Sequence, residues 1–418
     1  MSDAPWFVSP DGRTRFGPYT DADLRTMIAE RRLLAASLVW RDGLPAWAPL
    51  STIPDFQPDL ARAPDSGLPT DVRMPIPPGE LAPAPRSSSS ITTLLVVGGA
   101  LGGLCLILAL LAAILLPALG KARSSARQIK DSTHIRGIHQ GMVLWAQNNN
   151  DIYPLPSRID RANATLAPGE PKDLPRHITS ILIYNGFFSP ELCVSPAESN
   201  PAFAIYPNYS YSTPPTAAAA DKRLALWDPA FRALPMEYKS DSSADPGQGA
   251  FSYAYMPPVG RRLAKWSNTF RATEAALGNR GPAYNAVGSG ATLSWILVPD
   301  QGPSADGSTE VGINSNTLLI HGGRSTWEGN ICYNDNRVVF ETDPAPIQAR
   351  FSFSGLPVDL RTQPDNLFVD ENDASRAKDS STGVNSANSN ILLRNWYGGD
   401  FDPDTGKLLD IPDHLWFD

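Results

Sequence analysis

The stretch that decides how this chain is read is ITTLLVVGGALGGLCLILALLAAILL, residues 91–116. These 26 residues carry no charge, and about 20 apolar residues are enough for a helix to cross the hydrocarbon core of a bilayer. A buried core helix needs fewer, and a signal peptide would stand at the start of the chain. The run therefore predicts a single transmembrane helix over 91–117, with the lipid bilayer as a partner. It divides the rest into a small domain over 1–56, a linker over 57–90, a helical extension over 118–150 and a globular domain over 151–418. The predicted fold class is α+β: a small α+β domain, then the membrane helix continuing into a long helix packed on an antiparallel sheet.

The composition around the run is that of a loop-rich globular protein, with 40 Pro and 32 Gly in 418 residues. A net charge of −8 argues against nucleic acid as a partner. Cys105 falls inside the run and reads as a small packing residue. Cys193 and Cys332 follow it; export would allow one disulfide between them, and spacing alone leaves the pairing open.

Residues 4–55 alternate short apolar runs with turn signals. Trp6-Phe7-Val8 reads as a strand, Pro10-Asp11-Gly12 as a turn, and a second strand ends at Phe16. Thr20 and Asp23 have capping-box spacing before a helix carrying Leu24, Met27 and Ile28. Ser37-Leu38-Val39-Trp40 reads as a last strand. A domain this small has little core, so Trp6, Trp40 and Trp47 are expected to supply much of it. The order Trp6-Phe7, Gly17-Pro18-Tyr19, Asp23-Leu24, Leu38-Val39-Trp40-Arg41, Gly43, Trp47 and Pro49 resembles the GYF_2 family of bacterial GYF-like domains. The resemblance implies a cytoplasmic protein-interaction module that takes proline-rich peptides on Trp6, Phe7, Tyr19, Trp40 and Trp47. The alternative is that these aromatic residues are simply core. The linker carries prolines at 58, 64, 69, 75, 77, 78, 83 and 85 and is expected to be a disordered, semi-extended spacer. Its segment 74–79, MPIPPG, is a conceivable ligand for the domain that precedes it.

Within the apolar run, Gly98, Gly99, Gly102 and Gly103 form small-xxx-small pairs that would let two such helices associate. Beyond Pro117, Ile135, Ile138, Met142 and Trp145 make one stripe of an amphipathic helix that stops at the Asn148–Asp151 run. The order Leu115–Leu119, Lys121–Arg123, Trp145–Pro154, Cys193-Val194-Ser195-Pro196, Ser252-Tyr253-Ala254-Tyr255 and His321-Gly322-Gly323 with Asp335-Asn336 resembles prepilin-type, type II secretion pseudopilin-like proteins. That resemblance covers residues 91–340 and marks His321 and Asp335 as its signature pair. The chain departs from the pattern before Ile91, where Ser87–Ser90 stand in place of the processing-site Gly and no Glu follows early in the helix. A retained tether is then the expectation, in a bacterial inner membrane, with the N-terminus cytoplasmic and the C-terminal domain periplasmic. Lys121, Arg123, Arg127 and Lys130 after the run pull the other way under the positive-inside rule.

In the C-terminal domain, Ala291–Val298, Thr317–Ile320, Arg337–Glu341 and Asn390–Leu393 read as strands, and the loops over 211–250 and 364–390 as solvated. No histidine has zinc-protease spacing, and Ser195 lacks nucleophile-elbow glycines, so no enzyme is expected. Asp400, Asp402, Asp404 and Asp410 alternate on a Gly-containing turn and form a calcium candidate, against a plain hairpin. The functional expectation is a structural or interaction protein of the envelope or secretion apparatus. Its alternatives are a transmembrane sensor and an anchored extracytoplasmic hydrolase.

Overall fold

The protein is described from a computed structural model. It covers residues 5–9, 16–30, 32–42, 44, 47–62, 90–237, 247–299, 302, 304, 307–379 and 383–418, with only the backbone of 60–62, 90–112 and 114. The chain divides into two compact units, Met1–Thr92 and Thr93–Asp418.

In the first unit, β1 (Trp6–Ser9), β2 (Phe16–Tyr19), β3 (Leu38–Trp40) and β4 (Ala48–Pro49) form an antiparallel sheet in the order β2-β1-β3-β4. Helix α1 (Asp21–Ala29) starts at a complete capping box: Thr20 Oγ1 accepts from the Asp23 amide, and the Asp23 carboxylate accepts from the Thr20 amide at 2.8 Å. Period-2 alternation sends Trp6 and Val8 inward, where they meet Leu24, Ile28, Val39, Leu50, Ile53 and Phe56. Trp6 is 1 % exposed, packs edge-on against Phe56 at 5.4 Å, and donates to Asp21 Oδ1 at 2.6 Å. Of the three tryptophans expected in this core, only Trp6 is there. The segment read as the start of the linker is instead helix α2 (Gln57–Arg62). The proposed self-ligand at 74–79 lies outside the described residues.

Helix α3 runs from Ser90 to Gln147 through Pro117. Among the described residues no helix is long and apolar enough to cross a membrane. That finding overturns the transmembrane helix expected over 91–117 and the single-pass inner-membrane placement built on it. Where its side chains are described, α3 is too charged for hydrocarbon: Lys121, Arg123, Arg127, Lys130 and Asp131 fall within three turns. Around Gly98, Gly99, Gly102 and Gly103 only the backbone is described, so the self-association reading lies outside what the structure describes.

The second unit is mixed α+β with several small sheets. After α3 come α4 (Pro156–Ile159) and α5 (Pro175–Tyr184), then β5 (Tyr253–Tyr255), β6 (Ala275–Asn279), β7 (Tyr284–Val287), β8 (Ser294–Leu297), β9 (Gly329–Tyr333) and β10 (Val338–Glu341). Strands β10-β9-β6-β5 make an antiparallel sheet, and β7-β8 a hairpin. Further on, β11 (Arg350–Ser352) pairs with β12 (Thr362–Pro364), β13 (Asn395–Trp396) with β16 (Leu415–Trp416), and β14 (Asp400–Phe401) with β15 (Leu408–Asp410).

The main sheet is covered on both faces, which is why β6 and β9 are buried at every position and show no polar alternation. On one face, Ile135, Ile138 and Met142 of α3 and Ile178 and Leu182 of α5 pack on Tyr253, Tyr255, Leu277 and Cys332. On the other, Ala254, Ile331 and Tyr333 meet Leu367, Phe368, Val369, Ile391 and Leu393. The stripe predicted on α3 is thus its packing face, with Trp145 half-buried at its edge.

Several predicted strands are displaced. Thr317–Ile320 lies in a 3-10 helix, Asn316–Leu319, because the Ser315 hydroxyl caps the Thr317 amide at 3.2 Å and turns the chain. Asn390–Leu393 belongs to no strand. The segment 364–390 is far from solvated: Asp365, Asn366, Asp370, Glu371 and Asn390 are buried. Their polar side chains serve the backbone and one another in place of water. Buried Arg262, for example, donates to Asp370 Oδ1 at 2.7 Å and to the Asn390 carbonyl at 2.9 Å. The 211–250 loop likewise buries Trp227, Phe231 and Leu234.

Asp365 and Glu371 meet inside this layer. Asp365 Oδ2 accepts from the Ile391 amide at 2.7 Å and Glu371 Oε1 from the Asn366 amide at 2.5 Å; their other oxygens are buried without a hydrogen bond among the described residues, and Glu371 Oε2 lies 3.7 Å from Arg376 Nε. Burial pushes the Asp365 carboxyl up to about 7 and the Glu371 carboxyl well above the usual range, the latter with help from the neighbouring Asp365 charge. A raised folded-state pKa contributes stability that is present below the unfolded value and lost as pH rises through the folded one. The second unit should therefore lose stability between about pH 4 and 7 through this pair. Denaturant melts of the wild type and Asp365→Asn across that window check this, with the variant expected to show the shallower slope.

Candidate functional site

Two features carry chemistry, one in each unit. In the first, the strand alternation that buries Trp6 turns Phe7 outward. Phe7 pairs across the strands with Trp40, their rings 6.1 Å apart, and Trp40 leans on Trp47 at 6.5 Å. Trp40 Nε1 donates to the Leu44 carbonyl at 3.1 Å, which fixes the indole plane. Gly17 lies at one end of this row with φ +135°, and a Cβ there would stand 2.8 Å from the Phe7 ring. Only glycine lets β2 approach that closely. Trp47 is 37 % exposed, Phe7, Trp40 and Tyr19 are half-buried, and Phe16 is exposed near Gly17 in sequence. An outward row of aromatic rings on a sheet presents large apolar area at little conformational cost.

Residues 6–56 match the family model described as GYF domain 2. A GYF_2 match suggests a protein-interaction module. The match covers none of the residues 91–340 on which the pseudopilin resemblance rests. No curated protein and no solved structure matches the chain. Of the five residues assigned to peptide binding, Phe7, Trp40 and Trp47 form the outer row of the GYF_2 domain. Tyr19 packs on the edge of its core, and Trp6 is inside it.

In the second unit, the residues singled out by sequence converge on one that was not: Asp131 of α3, fully buried. Its Oδ1 accepts from the Ser195 hydroxyl and from the Tyr253 hydroxyl, the latter at 3.0 Å. Its Oδ2 accepts from His321 Nε2 at 2.9 Å and from Asn330 Nδ2 at 2.8 Å. The Asn330 amide also reaches the Gln128 carbonyl one turn up the helix, at 3.2 Å. Burial opposes ionisation of Asp131, but the hydrogen bond and charge of His321, with Ser195 and Asn330, outweigh it and hold the carboxyl below its usual range. Because a carboxylate only accepts, the His321 proton sits on Nε2.

His321 is thus held by Asp131, whereas Asp335 lies on the β9–β10 turn, where its carboxylate accepts from the Arg337 amide at 3.1 Å. The order of contacts is Ser195–Asp131–His321, with the carboxylate in the middle. A serine nucleophile needs the imidazole between serine and acid, so this arrangement does not activate Ser195.

A second polar pin lies further along α3. Buried His139 meets Asn336 Oδ1 and the Tyr153 hydroxyl, each at 3.1 Å. Cys193 and Cys332 are both buried free thiols, and burial raises both. The Asp400–Asp410 segment is a hairpin. Asp402 Oδ1 accepts from the Thr405 amide and hydroxyl, both at 2.8 Å, which lowers its pKa. Asp410 caps the Ile411 amide. Among the described residues no three His, Cys, Asp or Glu groups are placed to hold a metal ion.

A signal for Asp131 was present in the sequence: an acid on the apolar stripe of α3, four residues before Ile135. Truncating a buried, fully bonded charge partner costs about 3–5 kcal/mol, and losing one neutral donor about 1–2 kcal/mol. Asp131→Ala is expected at the upper end of that scale, and Ser195→Ala and Tyr253→Phe at the lower, in urea melts. A depressed folded-state pKa gives stability that is present above the unfolded value and lost as pH falls through the folded one. The wild type should lose stability below about pH 4, and Asp131→Ala should show less of that loss.

Proposed function

We propose that the protein works by binding rather than by catalysis, with the outward row Phe7–Trp40–Trp47 as a docking surface for proline-rich segments. The observation that carries this reading is the row itself. Three large rings line one face of a domain whose core is filled by other residues. A proline helix is already extended and loses little entropy when it stacks on such a face. The second unit serves as a structural or recognition body of pseudopilin-like build. Its support is a long leading helix pinned to an antiparallel sheet through the very segments that carry the resemblance, around Ser195, Tyr253 and His321.

Titration of a proline-rich peptide into the full chain, followed by tryptophan fluorescence, tests the docking surface. Trp47→Ala is expected to weaken binding by about 2 kcal/mol, as central aromatic contacts do, with an unchanged melting temperature. Trp6→Ala should unfold the first unit. Undiminished binding by both Trp40→Ala and Trp47→Ala would rule the surface out.

A further inference from the structure

A cleft of about 330 Å³ opens over the Asp131–His321 pair, between α3 and the segments around 320 and 328. Its volume falls at the small end of ligand pockets, about 300–1,000 Å³. Arg127 stands on its α3 wall and Glu328 on the segment just before β9. Among the described residues neither side chain makes an ion pair or a hydrogen bond. His321 spends Nε2 on Asp131, and its ring is held edge-on by Phe340 at 5.7 Å, so its Nδ1 edge is left without a hydrogen bond among the described residues. Ile320 and Phe340 give the cleft an apolar side.

Two unpaired charges of opposite sign in one concave site constrain what can cover them. Desolvating either charge without a partner is costly, so an occupant must bring an anion to Arg127 and a cation to Glu328. An apolar side requires an apolar part on the same molecule. We propose that this cleft binds a small zwitterion of the apolar α-amino acid class. The α-carboxylate meets the Arg127 guanidinium, the α-ammonium meets the Glu328 carboxylate, and the side chain lies against Ile320 and Phe340. Asp131 acts at one remove, by fixing His321 as the floor. The inference is independent of the peptide-docking surface in the first unit.

Calorimetric titration of the full chain with L-leucine, N-acetyl-leucine, leucinamide and inorganic phosphate tests it. L-leucine is expected to bind saturably, with N-acetyl-leucine and leucinamide at least about tenfold weaker because each lacks one charge. Arg127→Gln and Glu328→Gln should each weaken L-leucine by about tenfold or more without moving the melting temperature, since neither touches the Asp131 network. Three results would overturn the proposal: no saturable heat with L-leucine at millimolar concentration, full binding retained in both variants, or N-acetyl-leucine or phosphate binding as tightly as L-leucine, which marks a plain anion site.

Discussion

The carboxylate of Asp131 is the constraint on which the second unit depends. A charge this deep in a protein is tolerable only when every lone pair is used, and here four donors from four separate segments use them. The helix, the 193–196 segment, β5, the 321 turn and β9 are brought to one point, and each must be in place before the others are satisfied. Apolar contacts from Ile135, Ile138 and Met142 supply the area that holds α3 on the sheet. They do not by themselves fix its rotation or its position along its axis. The carboxylate does, because a shift by one residue would strand it among apolar groups.

The layer on the other face of the sheet is likewise held by buried polar groups that partner one another. Arg262, Asp370, Asn388 and Asn390 bond to one another and to backbone carbonyls. The result is a loop layer as buried as a helix would be. The two proposed binding surfaces lie where the fold leaves something over. In the first unit it is the outward side of β1 and β3. In the second it is the cleft where α3 carries Arg127 beyond the last buried turn.

Local chemistry was legible in the sequence. The capping box of α1, the strand at Trp6–Val8, and the stripe on α3 are set by neighbours a few residues apart, and all three stand as read. Asp131 was not legible as a hub, because its partners lie 64 to 199 residues away. The 364–390 segment was misread for a physical reason: Asp and Asn there look like solvated loop residues but act as internal substitutes for water. The apolar run over 91–116 read as a membrane span on composition alone. The helix that contains it continues through charged turns and packs its later face on the sheet. Trp40 and Trp47 were placed in the core for their size, yet the core of the first unit is closed by Leu50, Ile53 and Phe56 instead.

The most direct measurement of the central claim is a double-mutant cycle between Asp131 and His321, built from Asp131→Asn, His321→Ala and the pair, with stability read by urea unfolding at neutral pH. Groups that share a buried bond couple by about 0.5–3 kcal/mol, whereas independent sites add within about 0.5 kcal/mol. A hub centred on the Asp131 carboxylate predicts a coupling energy of about 1 kcal/mol or more, with the double variant less damaged than the sum of the single ones. Strict additivity would contradict it.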